Sequence, residues 1–298
     1  MLLHKAFRRS ILLLLAGLLI AGPSLSQITG TLSAPNGKPE AGAEIFINRS
    51  SYRAVTDDFG QFTLPVMPPG FHEIVAYKKG FQLYRAPMRV QSGRNYTLNL
   101  KFNTVEKKPR GKSTPESESA FEAALLGPDG LLIYHPDTRV QVEEVDQKFR
   151  VLSGPVVVDY PNAGYRITVY FSPASFQTPA DAAYCYQEYQ GSNVNQNMSV
   201  ERTRLALYTG SLRHWLTAVV AGNSRAEGFI EFDAEGKELP AAPAAVPSSI
   251  PGYSRIPIEH SLQIQYRDQG KTKLSTASPI DVNTSGIMIN PRAVAVEG

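Results

Sequence analysis

Residues 56–77 read TDDFGQFTLPVMPPGFHEIVAY, and the period of this stretch decides the fold. Thr56-Asp57-Asp58-Phe59-Gly60 ends in the glycine that a tight reversal needs, because only glycine takes a positive φ without steric cost. Phe62 and Leu64 then alternate with polar neighbours, the two-residue period of a strand with one face inward. From Phe71 the alternation changes character. Phe71, Val75 and Tyr77 lie on one face and Ile74 and Ala76 on the other, so this run is apolar on both sides, as a central strand of a sandwich would be.

Working outward, the same grammar runs from Gln27 to Phe102. Short apolar runs separated by Gly, Pro, Asn and Asp predict strands at Ile28–Leu32, Ala43–Ile47, Tyr52–Thr56, Gln61–Leu64, Phe71–Tyr77, Tyr84–Val90 and Tyr96–Phe102. Asn36-Gly37 supplies another tight turn. Helical periodicity is absent here, so the expectation is a seven-strand β-sandwich over residues 27–103.

Upstream, Lys5, Arg8 and Arg9 precede an apolar run from Ile11 to Ala21 and a small-residue end at Ser24-Leu25-Ser26. That is the pattern of a secretory signal peptide, residues 1–26, with cleavage expected before Gln27. The uncharged run is short for a bilayer span, so no transmembrane span is expected after cleavage. Cleavage also removes three of the charges behind a net +3 and a pI of about 8.8, leaving a nearly neutral chain. The basic residues between Lys107 and Lys112 sit among Pro, Ser and Glu, which fits a solvated linker better than nucleic-acid binding.

The single cysteine, Cys185, rules out an internal disulfide, so stability must come from apolar burial. The 42% hydrophobic content suffices for globular domains. Roughly 270 residues after cleavage correspond to about two of them. Residues 104–120 are rich in charge and Pro and poor in large apolar side chains, and are expected to be the linker. A short helix from Glu116 to Leu126 would open a second, β-rich module, residues 121–298.

In that module Val156–Tyr160 and Tyr165–Phe171 read as a hairpin around Pro161-Asn162-Ala163-Gly164. Leu262, Ile264 and Tyr266 alternate and turn at Gln269-Gly270 into Lys271–Thr276. Glu201–Ala221 carries Leu205, Tyr208, Leu212, Trp215, Leu216 and Val219 at intervals of three and four, the mark of one amphipathic helix, interrupted near Gly210 and laid over the sheet. The Pro/Ala-rich stretch Leu239–Pro251 is expected to be an exposed loop. The fold class is thus mainly β.

The elements Ile28-x-Gly30-x-Leu32, Gly37-x-Pro39-x-x-Gly42-Ala43-x-Ile45, Thr56-Asp57-x-x-Gly60-x-Phe62-x-Leu64 and Pro69-Gly70-Phe71 leading to Lys79-Gly80-Phe81 together resemble the carboxypeptidase regulatory-like domain. The resemblance implies a transthyretin-like (prealbumin-like) sandwich that serves as an accessory module beside catalytic domains, ahead of outer-membrane receptors or in adhesin-like proteins. Pro155-Val156-x-Val158, Ala163-Gly164-Tyr165-Arg166-Ile167, the stretch from Arg204 through Thr209-Gly210-Ser211-Leu212-Arg213-His214-Trp215-Leu216, and Gly228-Phe229 resemble the region that follows this domain in surface proteins of Gram-negative bacteria. Function inferred from a fold alone is analogy.

The side chains that could do chemistry give little. His72, His135, His214 and His260 form no His-Glu-x-x-His, and none has a carboxylate three residues on, so the sequence speaks against zinc hydrolysis. Ser211 with His214 has helical spacing, but no Gly-x-Ser-x-Gly surrounds it, and Ser211 after Gly210 is a good helix N-cap. Cys185, between two tyrosines in a strand, reads as a buried structural thiol. Asp57 and Asp58 form a turn and lack the oxygen ligands of a calcium loop. Tyr165, Tyr170, Tyr184, Tyr186 and Tyr189 could stack against sugars, though packing in a sheet explains them.

Arg204, Gly210, Ser211, His214 and Trp215 gather polar, aromatic and backbone-special residues and are the candidate interaction or structural cluster. No catalytic residue, metal or cofactor is expected. The expected function is a non-catalytic exported protein, in the periplasm, at the outer membrane or on the cell surface, that binds an envelope protein, peptide or glycan. A hydrolase with an unrecognised site in the second module and a periplasmic accessory subunit of an outer-membrane transporter remain as alternatives. Ligand and oligomeric state are left open.

Overall fold

A computed structural model describes residues 26–91, 93–103, 112–126, 133–134, 140–172, 174–189, 194–250, 252–258, 261–276, 279–286, 288 and 294–297. Residues 1–25 of the expected signal peptide and 104–111 of the expected linker, together with His135 and His260, lie outside the described residues. The chain divides into two compact units, the first running to Pro69 and through Glu73–Lys108, the second taking Gly70–His72 and Pro109 onward.

Among the described residues the N-terminal sandwich has seven strands: β1 (Ser26–Ser33), β2 (Glu44–Ile47), β3 (Arg53–Val55), β4 (Gln61–Met67), β5 (Gly70–Tyr77), β6 (Tyr84–Val90) and β7 (Tyr96–Lys101). They form two sheets, ordered β4-β1-β7 and β3-β2-β5-β6. β1 runs antiparallel to β4 and parallel to β7, with Ile28 opposite Tyr96 and Leu32 opposite Leu100. Alternation sends Ile28, Leu32, Phe62, Leu64 and Leu100 from one sheet to meet Ile45, Ile47, Ile74 and Ala76 from the other, and these side chains make the core. β5 buries Ile74, Val75 and Ala76 in succession, as its two-sided apolar character requires.

Side chains fix the turns. Asp57 accepts from the N–H groups of Phe59 and Gln61 through one carboxylate oxygen, at 3.0 and 2.7 Å, and Gly60 follows at φ +70°. Buried Thr56 donates to the Glu40 carbonyl at 2.6 Å and accepts from the Ala43 N–H at 2.9 Å, tying the end of β3 to the approach to β2. Gly30 in β1 is there for closeness: a Cβ at this position would lie 2.3 Å from the Leu98 carbonyl and 2.7 Å from the Phe62 ring. Gly30→Ala must therefore part β1 from β7, and we expect a loss of about 2 kcal/mol in urea unfolding followed by circular dichroism.

The C-terminal unit opens with α1 (Pro115–Leu126), followed by β8 (Ile133–Tyr134), β9 (Val142–Val145), β10 (Lys148–Val151), β11 (Val156–Tyr160), β12 (Tyr165–Tyr170) and β13 (Ala183–Glu188). Then come α2 (Val194–Tyr208), α3 (Leu212–Ala221), α4 (Ser224–Glu227), β14 (Phe229–Phe232), β15 (Val246–Pro247), β16 (Tyr253–Ile256), β17 (Ser261–Tyr266), β18 (Lys271–Thr276), β19 (Ile280–Asn283) and β20 (Val294–Glu297). The sheet β13-β12-β11-β8 and the hairpin β9-β10 share one core, in which Phe121 of α1 meets Phe149 and Phe171 edge-on, both at 5.3 Å. A second core joins α3 to the sheets β14-β17-β18-β20 and β15-β16-β19 through Trp215, Leu216, Val219, Phe229, Ile256, Leu262 and Leu274.

Three sequence expectations need correcting. The helix expected over Glu201–Ala221 is interrupted at Gly210 as its sequence suggested, but its first part starts earlier, at Val194. Leu205 and Tyr208, expected to face the sheet, are 63% and 37% exposed. The cause is the break itself: Gly210 takes φ +80°, so residues before it lose register with Leu212 and Trp215 after it. The Leu239–Pro251 stretch is also only partly a free loop, because Leu239, Ala242 and Ala245 pack against the second core and Val246-Pro247 pairs with β16. Beyond these, the second module holds two cores that the sequence did not reveal.

Candidate functional site

The five residues singled out by the sequence lie along α2, the break after it and α3, and the structure sorts them into two neighbourhoods. Arg204 belongs to the first. Its Nε donates to the Ala163 carbonyl at 2.7 Å, Nη2 to the Gly164 carbonyl at 3.2 Å and Nη1 to Glu188 at 3.0 Å. Its guanidinium lies 4.4 Å from the centre of the Tyr165 ring, in cation–π contact. Gly164, at φ +64°, closes the turn between β11 and β12 and lets the Tyr189 carbonyl approach to 2.7 Å of where a Cβ would sit. Arg204 is thus the clasp that holds α2 to this turn.

The tyrosines do not make one platform. Tyr165 and Tyr186 meet edge-on at 5.4 Å, with Arg204 over Tyr165. Tyr170 and Cys185 are both buried on the opposite face of the sheet, with the hydroxyl 3.8 Å from the sulfur. The two-residue period separates the sets. Burial first, then the neighbouring Tyr165 and Glu188, raises the Tyr186 hydroxyl above the usual tyrosine range.

Gly210, Ser211, His214 and Trp215 form the second neighbourhood, a joint between helices. Ser211 is the N-cap of α3: its backbone is extended and its Oγ accepts from the His214 N–H at 3.2 Å. The same hydroxyl donates to the Tyr208 carbonyl at 2.6 Å, closing the end of α2. His214 Nδ1 accepts from the Gly210 N–H at 3.0 Å. The imidazole is packed among Tyr208, Phe229 and Tyr266, with ring centres 4.9, 4.8 and 5.6 Å away, and its Nε2 lies 3.5 Å from Glu227. Gly210 has to be glycine, since a Cβ there would come 2.8 Å from the Tyr266 ring.

This arrangement does not make a nucleophile and base. The Ser211 proton goes to a backbone carbonyl, and the His214 lone pair at Nδ1 is used by a backbone N–H. Ser211→Ala should cost about 1 kcal/mol as a lost cap, read as a lower Tm, with the circular dichroism spectrum unchanged.

Trp215, fully buried, leads to a group that the sequence reasoning missed. Its Nε1 donates to Glu231 Oε1 at 3.0 Å, and Ser224 Oγ donates to the same oxygen at 2.9 Å. Arg225 Nε sits 3.3 Å from Glu231 Oε2, an ion pair whose alignment falls short of a hydrogen bond. Arg225 also bonds Glu238 at 2.9 Å and the Leu239 carbonyl. Glu231 is 0% exposed, a carboxylate at the floor of the second core. Among the described residues no group of three or more His, Cys, Asp and Glu side chains is placed to hold a metal ion, and no helix is long and apolar enough to cross a membrane.

On the sandwich, a depression of about 180 Å³ is lined by Gln82, Leu83, Tyr84, Arg85 and Asn103. It is smaller than the roughly 300–1,000 Å³ that encloses a typical small-molecule ligand. It opens at the start of β6, which is the edge of its sheet among the described residues. Arg85 is held in a fork on Glu73, at 3.0 and 2.8 Å.

The carboxypeptidase regulatory-like domain family matches residues 27–103. No curated protein matches the chain. Among solved structures, a putative carbohydrate-binding protein from Bacteroides uniformis is 12% identical over 60% of this chain and 83% of its own, with a TM-score of 0.23. A DUF3823 family protein from Parabacteroides merdae is 8% identical over 61% of this chain and 86% of its own, at 0.23. A type II cohesin–X-dockerin complex of Acetivibrio cellulolyticus is 20% identical over 24% of this chain, at 0.21, and this chain spans about half of that one, 52%. Scores this low carry neither fold nor function across.

Proposed function

We propose that this is an exported, non-catalytic envelope protein, a binding or scaffold module for a surface protein, peptide or glycan, with the sandwich as its docking element. The observation that carries the reading is the depression at the start of β6, where an aromatic ring, a guanidinium and two amide side chains line the open edge of a sheet. An extended chain laid along an edge strand gains backbone hydrogen bonds without needing a deep cavity, and a sugar ring stacks on tyrosine while amides take its hydroxyls. Pro87, further along β6, removes one backbone donor and so confines such pairing to the end beside the depression. In the second unit, the polar residues nominated for chemistry serve as cap, clasp and joint. The basic start and apolar run of residues 1–26 support export.

The test is a peptide and glycan panel, with purified envelope proteins included, against the mature chain and a Gln82→Ala/Asn103→Ala variant. The expected result is a ligand whose affinity falls about tenfold in the variant while its Tm is unchanged, as loss of one or two polar contacts would give. Absence of any ligand, or turnover of a panel compound by the purified chain, overturns the reading. Fractionation of cells, with the N-terminal residue determined, checks export and cleavage before Gln27.

A further inference from the structure

Phe59 is 71% exposed, the most exposed large apolar side chain among the described residues. Nothing in the fold asks for a ring there. The turn is closed by Asp57, whose carboxylate takes the N–H groups of Phe59 and Gln61 and whose carbonyl takes the Gly60 N–H at 2.9 Å. It is tied to β1 by the Leu32 N–H, which donates to the Gly60 carbonyl at 2.8 Å. These bonds use only the backbone of residue 59. Phe59 is thus an apolar ring held out in water on a rigid turn, the way an anchor is presented with little ordering left to lose on binding.

The turn and the depression lie at the same end of the sandwich. Gln61 faces Thr31 and Lys101 faces Ser33, so the start of β4 and the end of β7 flank the end of β1. In the other sheet Val55 and Tyr77 both face Glu44, so β3 and β5 finish beside the start of β2. Asn103, just past β7, shares the depression with the start of β6. Phe59, between β3 and β4, therefore stands at one side of this end, and the depression, between β6 and β7, at the other. Two strand spacings in one sheet and three in the other set them roughly 10–14 Å apart, a length that about three linked sugar rings cover.

We infer that this end of the sandwich takes an uncharged, linear glycan lying across it, with one sugar ring in the depression and another stacked on Phe59. The inference rests on the docking role proposed for the depression. A peptide fits this path poorly, because ladder N–H and C=O groups point sideways within a sheet, so a chain crossing the strand ends finds no edge to pair with. Recognition there falls to side chains. The amides of Gln82 and Asn103 exchange hydrogen bonds with hydroxyls, and the rings of Tyr84 and Phe59 meet the C–H faces of sugars. The nearby charges are largely spent: Arg85 is forked on Glu73 and Lys78 is paired with Glu40, while Lys38, Lys79 and Asp58 are exposed at the rim, where water and salt screen them.

The experiment is isothermal titration calorimetry of the purified mature chain with cello-, xylo-, manno- and malto-oligosaccharides of two to six units. In the series that binds, affinity should rise about tenfold from the disaccharide to the tetrasaccharide and then level off, as the longer chains reach past Phe59. Phe59→Ala should remove that rise, about tenfold for the tetrasaccharide, and leave the disaccharide within about twofold, while Phe59→Trp restores it. The melting temperature of each variant should match wild type, since the ring packs on nothing. Equal affinity for the two lengths, a Phe59→Ala effect that is absent or the same on both, or a panel in which peptides bind and no saccharide does, overturns the inference and leaves the depression as a docking site. A Gln82→Ala/Asn103→Ala chain that binds every length as wild type does removes the depression itself, and the docking reading falls with it.

Discussion

Trp215→Ala is expected to cost the second core about 5 kcal/mol, enough to unfold it at physiological temperature. The indole is 0% exposed and lies in the cluster with Leu216, Phe229, Ile256 and Leu274. Truncating a buried Trp leaves a cavity worth about 3–5 kcal/mol. It also removes the Nε1 donor from a carboxylate that water cannot reach, and a hydrogen bond to a charged group is worth about 1.5–3 kcal/mol. Trp215→Phe separates the two contributions, since it keeps most of the volume and loses only the donor, so about 2 kcal/mol is expected. Trp215 is the sole tryptophan, so wild-type fluorescence reports this core alone, and the variants are followed by circular dichroism and calorimetry. A Trp215→Ala chain melting within a few degrees of wild type would show that the core does not depend on this side chain.

What could be read from the sequence was local. The seven strands of the sandwich follow from a period of two and from turns whose chemistry sits within five residues, as at Asp57 to Gln61. The cap at Ser211 was legible for the same reason, because cap and capped N–H are three residues apart. Arg204 was marked only as a polar residue of interest, since its partners at Ala163 and Gly164 lie some forty positions away, with nothing beside Arg204 to signal them. The spacing of Leu205 and Tyr208 with Trp215 was misleading, because periodicity counts through Gly210 as though the helix continued. Two cores in the second unit were invisible, since alternating strands look alike whichever core they face. Glu231 did carry a signal: in Phe229-Ile230-Glu231-Phe232 it shares the inward parity of Phe229, and a carboxylate at an inward position needs a buried partner.

Glu231→Ala therefore carries the second large effect, about 3–4 kcal/mol. Removing one member of a buried polar network leaves the others desolvated and unpaired, at about 3–5 kcal/mol. The lower part of that range applies because the partners differ in what they can do. Arg225 is 35% exposed in its side chain and keeps Glu238 and the Leu239 carbonyl, so it can turn toward water. Trp215 Nε1 and Ser224 Oγ, both on buried residues, cannot. Glu231→Gln keeps an acceptor at Oε1 for both of them and gives up only the charge facing Arg225, so about 1 kcal/mol is expected. The ordering Ala well below Gln, and Gln just below wild type, is the signature of an acceptor held in place for the indole and the hydroxyl. If Gln were as damaging as Ala, the ion pair with Arg225 would be what holds this carboxylate in the core instead. A double-mutant cycle of Trp215→Phe with Glu231→Gln tests the link directly: coupling of about 1–2 kcal/mol places the two groups in one network, and additivity would separate them.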